Sequence, residues 1–325
     1  ISNFTVGNTD GNTRIWDITN PLNPVNQNYN LSGNQAIFGT NTNTLKEFIV
    51  WQEGADFPSP QLLGVLENQN LRALNPSNLI IITHPNFREQ AEQLASFRRA
   101  YDKLSVVVVD VFQIYNEFSS GKQDISALRD FVRHLYLKNP TEVKYLLLFG
   151  AASYDYKNRA ANNTNYIPIY ESRESLHPIY SYSSDDYFGF MEATEGEWLE
   201  TTNNVPTFDH TIDVAVGRIP ARTAQEAQDV VDKLIYYTTK ATLGSWRKNV
   251  VFLADDGDVN QHQSDADKLT DKVEKYPNYN IEKLYLDAFQ QISTGGNERS
   301  PACKDAFTKT IEKGALIINY TGHGG

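Results

Sequence analysis

Short apolar runs alternate with stretches of helical periodicity from about residue 70 onward, and this alternation limits the folds open to the chain. The runs cover residues 79–82, 105–109, 144–150, 211–216, 250–253 and 315–320. The helical stretches lie near residues 87–101, 124–137, 223–235, 264–275 and 301–313. Runs that are apolar on both faces are typical of strands buried between helices. The sequence therefore predicts an α/β fold with a parallel-rich sheet flanked by helices.

The first 60 residues have a different pattern. Asp10-Gly11 separates two short alternating runs, which predicts a β-hairpin, and a loop rich in Asn and Pro follows. Pro58 and Pro60 then interrupt the pattern and mark a boundary. We interpret residues 1–60 as the end of a β-rich N-terminal domain that precedes the α/β part.

Composition excludes several classes of function. A net charge of −11 and the absence of a basic block argue against nucleic acid as a partner, because such binding relies on Lys and Arg. Cys303 is the sole cysteine, so no internal disulfide or thiolate-rich metal cluster can form. No apolar stretch approaches the roughly 18 residues of a membrane span. The chain begins at Ile1 without a leader, and we expect it to be part of a longer protein.

Polar side chains follow two of the predicted strands at the point where each strand ends. Residues 255–258 read Asp-Asp-Gly-Asp, and His323 stands between Gly322 and Gly324. Ligands gather at the carboxyl ends of strands in open parallel sheets. An acid such as Asp256 could orient His323 while the second ring nitrogen faces a nucleophile. Alternatively, His323 is an ordinary surface histidine, and Asp256 is a solvated turn residue or a helix cap.

The motifs in their order resemble those of the gingipain-type cysteine peptidases. The segments that carry the resemblance are 147–150, 183–189, 216–222, 254–258 and 319–324. They most resemble the secretion branch of that family, the signal peptidases, or sortases, of type IX secretion. The resemblance implies a caspase/gingipain-like sheet, with residues 61–245 as a first subdomain and 246–325 as the beginning of the catalytic subdomain.

The resemblance also implies roles for individual residues. His323 would act as general base and acid, with Asp256 as the acid that orients it. Asp255 is a close competitor of Asp256 for that role and is otherwise assigned to substrate binding with Gly322 and Gly324. The arginine-specific gingipains have an acidic residue for the substrate's Arg near the position of His262, which we therefore also assign to substrate binding.

The nucleophile is the largest departure from the family pattern. The family's cysteine follows the His-Gly motif after one more strand, so we expect it beyond Gly325. Cys303 precedes the motif and lies in a predicted helix with Phe307 and Ile311 on the same face, where it is most simply a small packed apolar residue. The chain alone is expected to be inactive.

The chemistry implied by the family needs no cofactor, although a structural calcium ion is an open question. Gingipains bind calcium, and Asp185 and Asp186 are the residues assigned here as candidate ligands. A second calcium pattern is incomplete, because Gln261 stands where the loop requires glycine. Its acidic and amide positions are Asp256, Asp258, Asn260 and Asp267.

The family resemblance also implies a cellular setting. It predicts a peptidase at the extracellular face of the outer membrane of a gram-negative bacterium. Its substrates would be proteins that carry C-terminal secretion domains, and its partners would be outer-membrane components of type IX secretion. Two alternatives stay open: a non-catalytic caspase-like module that binds partners, and a receiver-like phosphate-binding domain that uses the Asp255–Asp256 pair.

Overall fold

The chain folds into two compact units, Ile1–Asn68 and Gln69–Gly325. This computed structural model describes residues 1–62, 64–172, 176, 181–196, 211–294 and 297–323. The predicted substrate-binding residue Gly324 lies outside the described residues. None of the described helices is both long enough and apolar enough to cross a membrane.

The described residues of the first unit form six strands in two antiparallel sheets. The strands are β1 (Ser2–Gly7), β2 (Thr13–Asp17), β3 (Val25–Asn26), β4 (Asn30–Ser32), β5 (Gln35–Thr40) and β6 (Phe48–Gln52). Their order is β1-β5-β4 in one sheet and β3-β2-β6 in the other. Ile15, Ala36 and Phe38 form the buried core between Phe4 and Phe48. The predicted β-rich segment is thus present in the structure.

The hairpin predicted at Asp10-Gly11 is wrong. The two residues do lie in a turn, in which the Asp10 carbonyl accepts a hydrogen bond from the Thr13 N–H. However, β1 pairs with β5, whereas β2 pairs with β3 and β6. The local turn signal is correct, but it cannot tell a hairpin from a corner between two sheets.

The second unit begins with a four-stranded parallel sheet between helices, as predicted. Its strands are β7 (Leu79–Thr83), β8 (Val106–Asp110), β9 (Tyr145–Phe149) and β12 (Ala215–Ile219), in the order β12-β9-β7-β8. The helices are α1 (Arg88–Tyr101), α2 (Val111–Phe118), α3 (Ile125–Lys138) and α4 (Ala224–Tyr237). All five residues of β7 are buried, with one apolar cluster on each face of the sheet. Two short strands, β10 (Tyr170–Glu171) and β11 (Ser183–Ser184), pair in the long connection before β12.

Helix α2 was not predicted. It is only eight residues long, and Asp110 caps it directly at the end of β8 in a capping box with Gln113. Such a helix offers too few turns for its periodicity to stand out from the strand before it.

A second parallel sheet, of three strands, carries the segment of greatest chemical interest. It consists of β13 (Asn249–Ala254), β14 (Asn280–Tyr285) and β17 (Ile317–Thr321), in the order β14-β13-β17. Helices α5 (Gln261–Val273) and α6 (Pro301–Lys313) connect them, with a small hairpin of β15 (Ile292–Thr294) and β16 (Asn297–Arg299). Strand β14, whose residues show neither an apolar run nor a regular alternation, was missed in the sequence. Strand β17 lies at the sheet edge and leaves Ile317, Ile318 and Tyr320 exposed.

Candidate active site

The carboxyl ends of β13 and β17 lie side by side. The two strands are parallel neighbours, and Ala254 is paired with Thr321 at their last position. One more backbone hydrogen bond, from the Asp255 N–H to the Thr321 carbonyl at 3.0 Å, continues this pairing into the loops. The loop that follows β13 is therefore held against the loop that carries His323.

His323 contacts an acid from the neighbouring loop. Its Nε2 lies 2.6 Å from Oδ2 of Asp258, and both side chains are open to solvent, at 70% and 57% exposure. The hydrogen bond from His323 lowers the pKa of the Asp258 carboxyl below its usual value of 3.8. A carboxylate that is ionised at neutral pH only accepts hydrogen bonds, so Nε2 carries the proton. In the neutral ring, Nδ1 is then the basic nitrogen.

An unusual backbone turn brings Asp258 to this position. Asp258, Val259 and Asn260 are consecutive and all have left-handed φ angles, of 53°, 55° and 62°. This region costs a residue other than Gly roughly 1–2 kcal/mol, and a β-branched Val is especially unsuited to it. The side chain of Val259 is fully exposed and offers no burial in return. Backbone strain of this kind is concentrated at functional sites.

Asp255 fixes the His323 loop through the backbone. Burial raises the pKa of its carboxyl, but hydrogen bonds outweigh this effect and leave the pKa below its usual value. The donors include the backbone N–H groups of Asp256, at 2.9 Å, and of His323. Asp255 therefore ties the two loops together. Its assignment to substrate binding stays a prediction.

Gly322 allows the two loops to approach closely. A Cβ atom at this position would lie 2.5 Å from the Asp255 Cβ and 2.5 Å from the Tyr320 hydroxyl oxygen. The same hydroxyl donates a hydrogen bond of 2.6 Å to the His323 carbonyl. Only a residue without a side chain fits between these groups. The glycine before the histidine is thus explained by packing within the site.

Asp256, the predicted partner of His323, makes a different contact. Its carboxylate accepts a hydrogen bond from the Gln291 amide. Among the described residues, the carboxylate that contacts the imidazole is that of Asp258, two positions further along. Sequence reasoning missed this pairing because the left-handed turn at 258–260 decides which acid points at His323, and the β-branched Val259 at its centre argues against such a turn.

His262 completes a three-residue cluster. It lies in the first turn of α5, and its Nε2 is 3.2 Å from Asp258 Oδ2. Its ring meets the His323 ring edge-on, with 4.9 Å between the ring centroids. The side chain is only 15% exposed, and its buried Nε2 atom makes the contact with Asp258 without a well-directed hydrogen bond. Sequence reasoning assigned His262 to substrate binding, and the structure places it beside the candidate catalytic pair.

The sequence profile of a known peptidase family, C25, matches residues 72–325. This match covers the second unit almost entirely, including both parallel sheets and the histidine loop. The chain belongs to peptidase family C25. It is therefore related to cysteine peptidases of the gingipain type, as the motifs indicated. No curated protein sequence matches this C25 chain.

Two solved structures are similar to the C25 chain. Dimeric latent PorU from Porphyromonas gingivalis matches with 26% sequence identity and a TM-score of 0.59, over 75% of this chain and 24% of PorU. The Arg-specific cysteine proteinase gingipain R matches with 16% identity and a TM-score of 0.51, over 79% of this chain and 49% of gingipain R. These likenesses confirm the predicted caspase/gingipain-like fold. The chain spans less than half the length of either protein.

The residues assigned to calcium make other contacts in this C25 chain. Both carboxylate oxygens of Asp185 accept hydrogen bonds from Arg218, at 2.7 and 2.8 Å. The remaining guanidinium N–H groups reach the carbonyls of Gly150, Ile167 and Pro168. A guanidinium paired with both oxygens occupies one lone pair of each and repels a cation by charge. Asp186 begins the short helical turn Asp186–Gly189 and donates its N–H to the Ser184 hydroxyl.

Cys303 lies in the first turn of α6 and is buried. Burial raises the pKa of its thiol above the usual value. Because the thiolate is the attacking form of a cysteine, a buried thiol with a raised pKa is a poor nucleophile at neutral pH. The prediction that Cys303 is a small packed residue agrees with this environment.

Proposed function

We propose that this C25 chain supplies the histidine and the orienting acid of a cysteine endopeptidase site. The observation that carries the proposal is the 2.6 Å contact between His323 Nε2 and Asp258 Oδ2 at the ends of adjacent parallel strands. His323 is the general base and acid, as the sequence predicted. Asp258 replaces Asp256 as the acid that orients it.

The proposed reaction follows from the free nitrogen of the ring. Nδ1 takes the proton of a cysteine thiol, and the thiolate attacks the carbonyl carbon of the scissile peptide bond. His323 then gives the proton to the leaving amine, and water hydrolyses the resulting thioester with the same base. Asp258 stabilises the imidazolium that forms in each step.

The attacking cysteine is a residue outside positions 1–325 in this proposal. Cys303 is the sole cysteine in the chain, and its burial and raised pKa disqualify it. Support for an additional strand comes from β17, which is an edge strand with Ile317 and Ile318 exposed. Strands of parallel sheets are normally covered on both faces. An exposed apolar edge strand has unpaired backbone groups that can form hydrogen bonds with another strand. A strand added beside β17 would end next to His323.

A finer assignment rests on the likeness to PorU. We propose that the complete protein is a signal peptidase of type IX secretion that removes C-terminal domains from cargo proteins at the cell surface of a gram-negative bacterium. The order of the motifs and the 26% identity support this assignment. Arg specificity is not part of the proposal, since His262 stands near the position of the acid that would meet a substrate Arg.

The test uses protein expressed from the complete gene and a peptide that spans a cargo cleavage junction. We expect His323→Ala to lower kcat/KM by about 10²–10⁴, the usual range for general acid–base catalysis. Asp258→Asn should lower it by a smaller but clear factor. Asp256→Asn is the matched control and should have the smallest effect of the three.

Two outcomes would contradict the proposal. Unchanged cargo processing by His323→Ala would identify the chain as a non-catalytic module that binds partners. If Asp256→Asn lowers kcat/KM more than Asp258→Asn does, the acid that orients His323 is Asp256, as predicted from sequence. The phosphate-binding alternative has little support, because backbone donors occupy the Asp255 carboxylate and Gln291 contacts that of Asp256.

A further inference from the structure

The buried Nε2 of His262 points to a ligand that the peptidase reaction does not explain. A buried ring nitrogen without a well-directed hydrogen bond is costly, and native structures normally satisfy such atoms. The atom lies 3.2 Å from Asp258 Oδ2, the same oxygen that His323 Nε2 contacts. Three potential ligand atoms, two imidazole nitrogens and one carboxylate oxygen, lie within 4.8 Å of one another.

We propose that Asp258, His262 and His323 form a binding site for a zinc ion. Two imidazoles and one carboxylate are a common ligand set for zinc with one open coordination position, whereas calcium and magnesium prefer oxygen ligands alone. Among the described residues, this is the one group of three or more potential ligands close enough to share an ion.

The geometry requires only a small rearrangement. With metal bonds of about 2.0–2.2 Å, ligand atoms of a tetrahedral zinc site lie roughly 3.3 Å apart. The distance from Asp258 to His262 is already 3.2 Å, and that from Asp258 to His323 must widen from 2.6 Å. The two imidazole nitrogens lie within 4.8 Å of each other and must reach the same spacing. Both Asp258 and His323 are largely exposed, so their side chains can move without disturbing a core. His262 is the more buried of the three ligands, held by its position in the first turn of α5.

The charges around the cluster also suit a cation. Among the described residues, the ion-pair partners of Asp258 are the two histidines, with no Lys or Arg. Asp185 is the opposite case, because Arg218 already neutralises it. A zinc ion bound to Asp258 would replace its two weak contacts with His262 and His323 by one strong interaction with the metal.

If the proposed function is correct, zinc at this site switches the peptidase off. Zinc on Nε2 places the single proton of the neutral imidazole on Nδ1. Nδ1 is the nitrogen that would accept the thiol proton, so the base is blocked. Zinc also withdraws Asp258 from its role as the orienting acid. This consequence rests on the proposed function, whereas the binding itself does not.

Binding is tested on the complete protein after treatment with a chelator. Calorimetric titration with zinc chloride should show one equivalent bound, and cobalt(II) should give the strong visible absorption of a tetrahedral site. His262→Gln and Asp258→Asn should each weaken zinc binding at least tenfold. The matched controls, His134→Gln on α3 and Asp265→Asn on α5, should bind zinc as the unmodified protein does.

The outcomes separate the inference from the proposed function. Absence of zinc binding, or zinc binding that is unchanged in both His262→Gln and Asp258→Asn, overturns the site. Thermal unfolding of each variant shows whether a loss of binding reflects a loss of fold, and Asp258→Asn, on an exposed side chain, is the variant that should fold normally. Full activity with one equivalent of zinc bound, in an enzyme that requires His323, overturns the switch. Activity that survives His323→Ala overturns the proposed function, while the titration still decides the site.

Discussion

Two acid–base pairs of the second unit differ in how completely their hydrogen-bonding capacity is used. Asp185 and Arg218 are 22% and 11% exposed, and each carboxylate oxygen and guanidinium nitrogen has a partner. Asp258 and His323 are 57% and 70% exposed, and the ring keeps one nitrogen available. A saturated pair, whose groups all have partners within the fold, serves mainly to hold the fold together. An unsaturated one can bind or react.

The two parallel sheets repeat this difference. The sheet that contains β7 is covered on both faces by helices, and its central strand is entirely buried. The sheet that contains β17 ends in an exposed edge with apolar residues open to solvent. We infer that the stability of the second unit resides mainly in the first sheet and its chemistry in the second.

The largest expected effect is the loss of the saturated pair. Arg218→Ala leaves the carboxylate of Asp185 and three carbonyls without their donor, and we expect it to lower the free energy of unfolding by about 3–5 kcal/mol. Urea unfolding measures this difference. Arg222→Ala, at an exposed residue four positions further on, is the control and should stay within about 0.5 kcal/mol.

Urea unfolding of a variant of the exposed pair, Asp258 and His323, completes the comparison with Asp185 and Arg218. Asp258→Asn should leave the urea midpoint nearly unchanged, because both partners are exposed to solvent. An equal loss in Arg218→Ala and Asp258→Asn would contradict the division into a structural pair and a reactive pair.

The second prediction concerns the glycine between the two loops of the site. Gly322→Ala places a methyl group against Asp255 and Tyr320, and we expect a cost of about 1–3 kcal/mol from overpacking. The His323 ring resonances in an NMR spectrum should shift, because the loop must move. Gly217→Ala is the matched control, since a Cβ there meets no atom within 4 Å. Unaltered His323 resonances in Gly322→Ala would show that the loop accommodates the methyl group elsewhere.

The fold was predictable from sequence because its strands are buried on both faces. A run such as residues 79–82 is apolar throughout, and the structure buries all of it in the centre of a parallel sheet. Strand β14 escaped prediction for the opposite reason. It lies at an edge, and three of its six residues are polar, so hydrophobic pattern alone does not identify it.

The site was predictable only in part. The position of His323 at a strand end followed from the strand pattern and the flanking glycines. The identity of its acid partner did not follow from the sequence, because Asp255, Asp256 and Asp258 all come directly after the same strand. Only the path of the backbone decides which of them reaches His323. In the left-handed run at 258–260, Asp258 and Asn260 are residue types that tolerate this conformation, but Val259 between them is not, so the sequence does not predict the run. The assignment of Asp185 and Asp186 to calcium stays a prediction, and nothing in the sequence indicated that Arg218, on a strand 33 residues away, pairs with Asp185.

The third prediction tests whether Cys303 is structural. Cys303→Ala should cost about 1 kcal/mol, the typical effect of a single core substitution. In the folded protein its thiol should react slowly with a thiol reagent, because burial limits access and raises its pKa. The reaction rate should therefore rise with pH only above the range of an ordinary cysteine. Rapid labelling at neutral pH in native protein, compared with urea-unfolded protein as the reference, would reopen its candidacy as a nucleophile.

The smallest expected effect concerns an exposed ion pair in the second sheet, that of Asp267 with Lys283. The hydrogen bond from Lys283 lowers the pKa of Asp267, and the same contact raises the pKa of Lys283. An acid with a depressed pKa stabilises the fold above its unfolded value of 3.8 and loses that contribution as the pH falls through the folded value. For a base with a raised pKa, the contribution is full below 10.5 and disappears as the pH rises through the folded value. The pair therefore contributes fully at neutral pH, and Asp267→Asn should cost no more than about 0.5 kcal/mol there.

Salt and pH separate this weak contribution from experimental noise. The difference between Asp267→Asn and the unmodified protein should shrink in 1 M salt, which screens exposed charges, and should vanish once the pH lies below the folded pKa of Asp267. Asp305→Asn, at an exposed acid on α6, is the control and should show neither dependence. A difference of several kcal/mol that is insensitive to salt would place Asp267 with Asp185 among the saturated pairs, and the second sheet would then contribute to stability as the first one does.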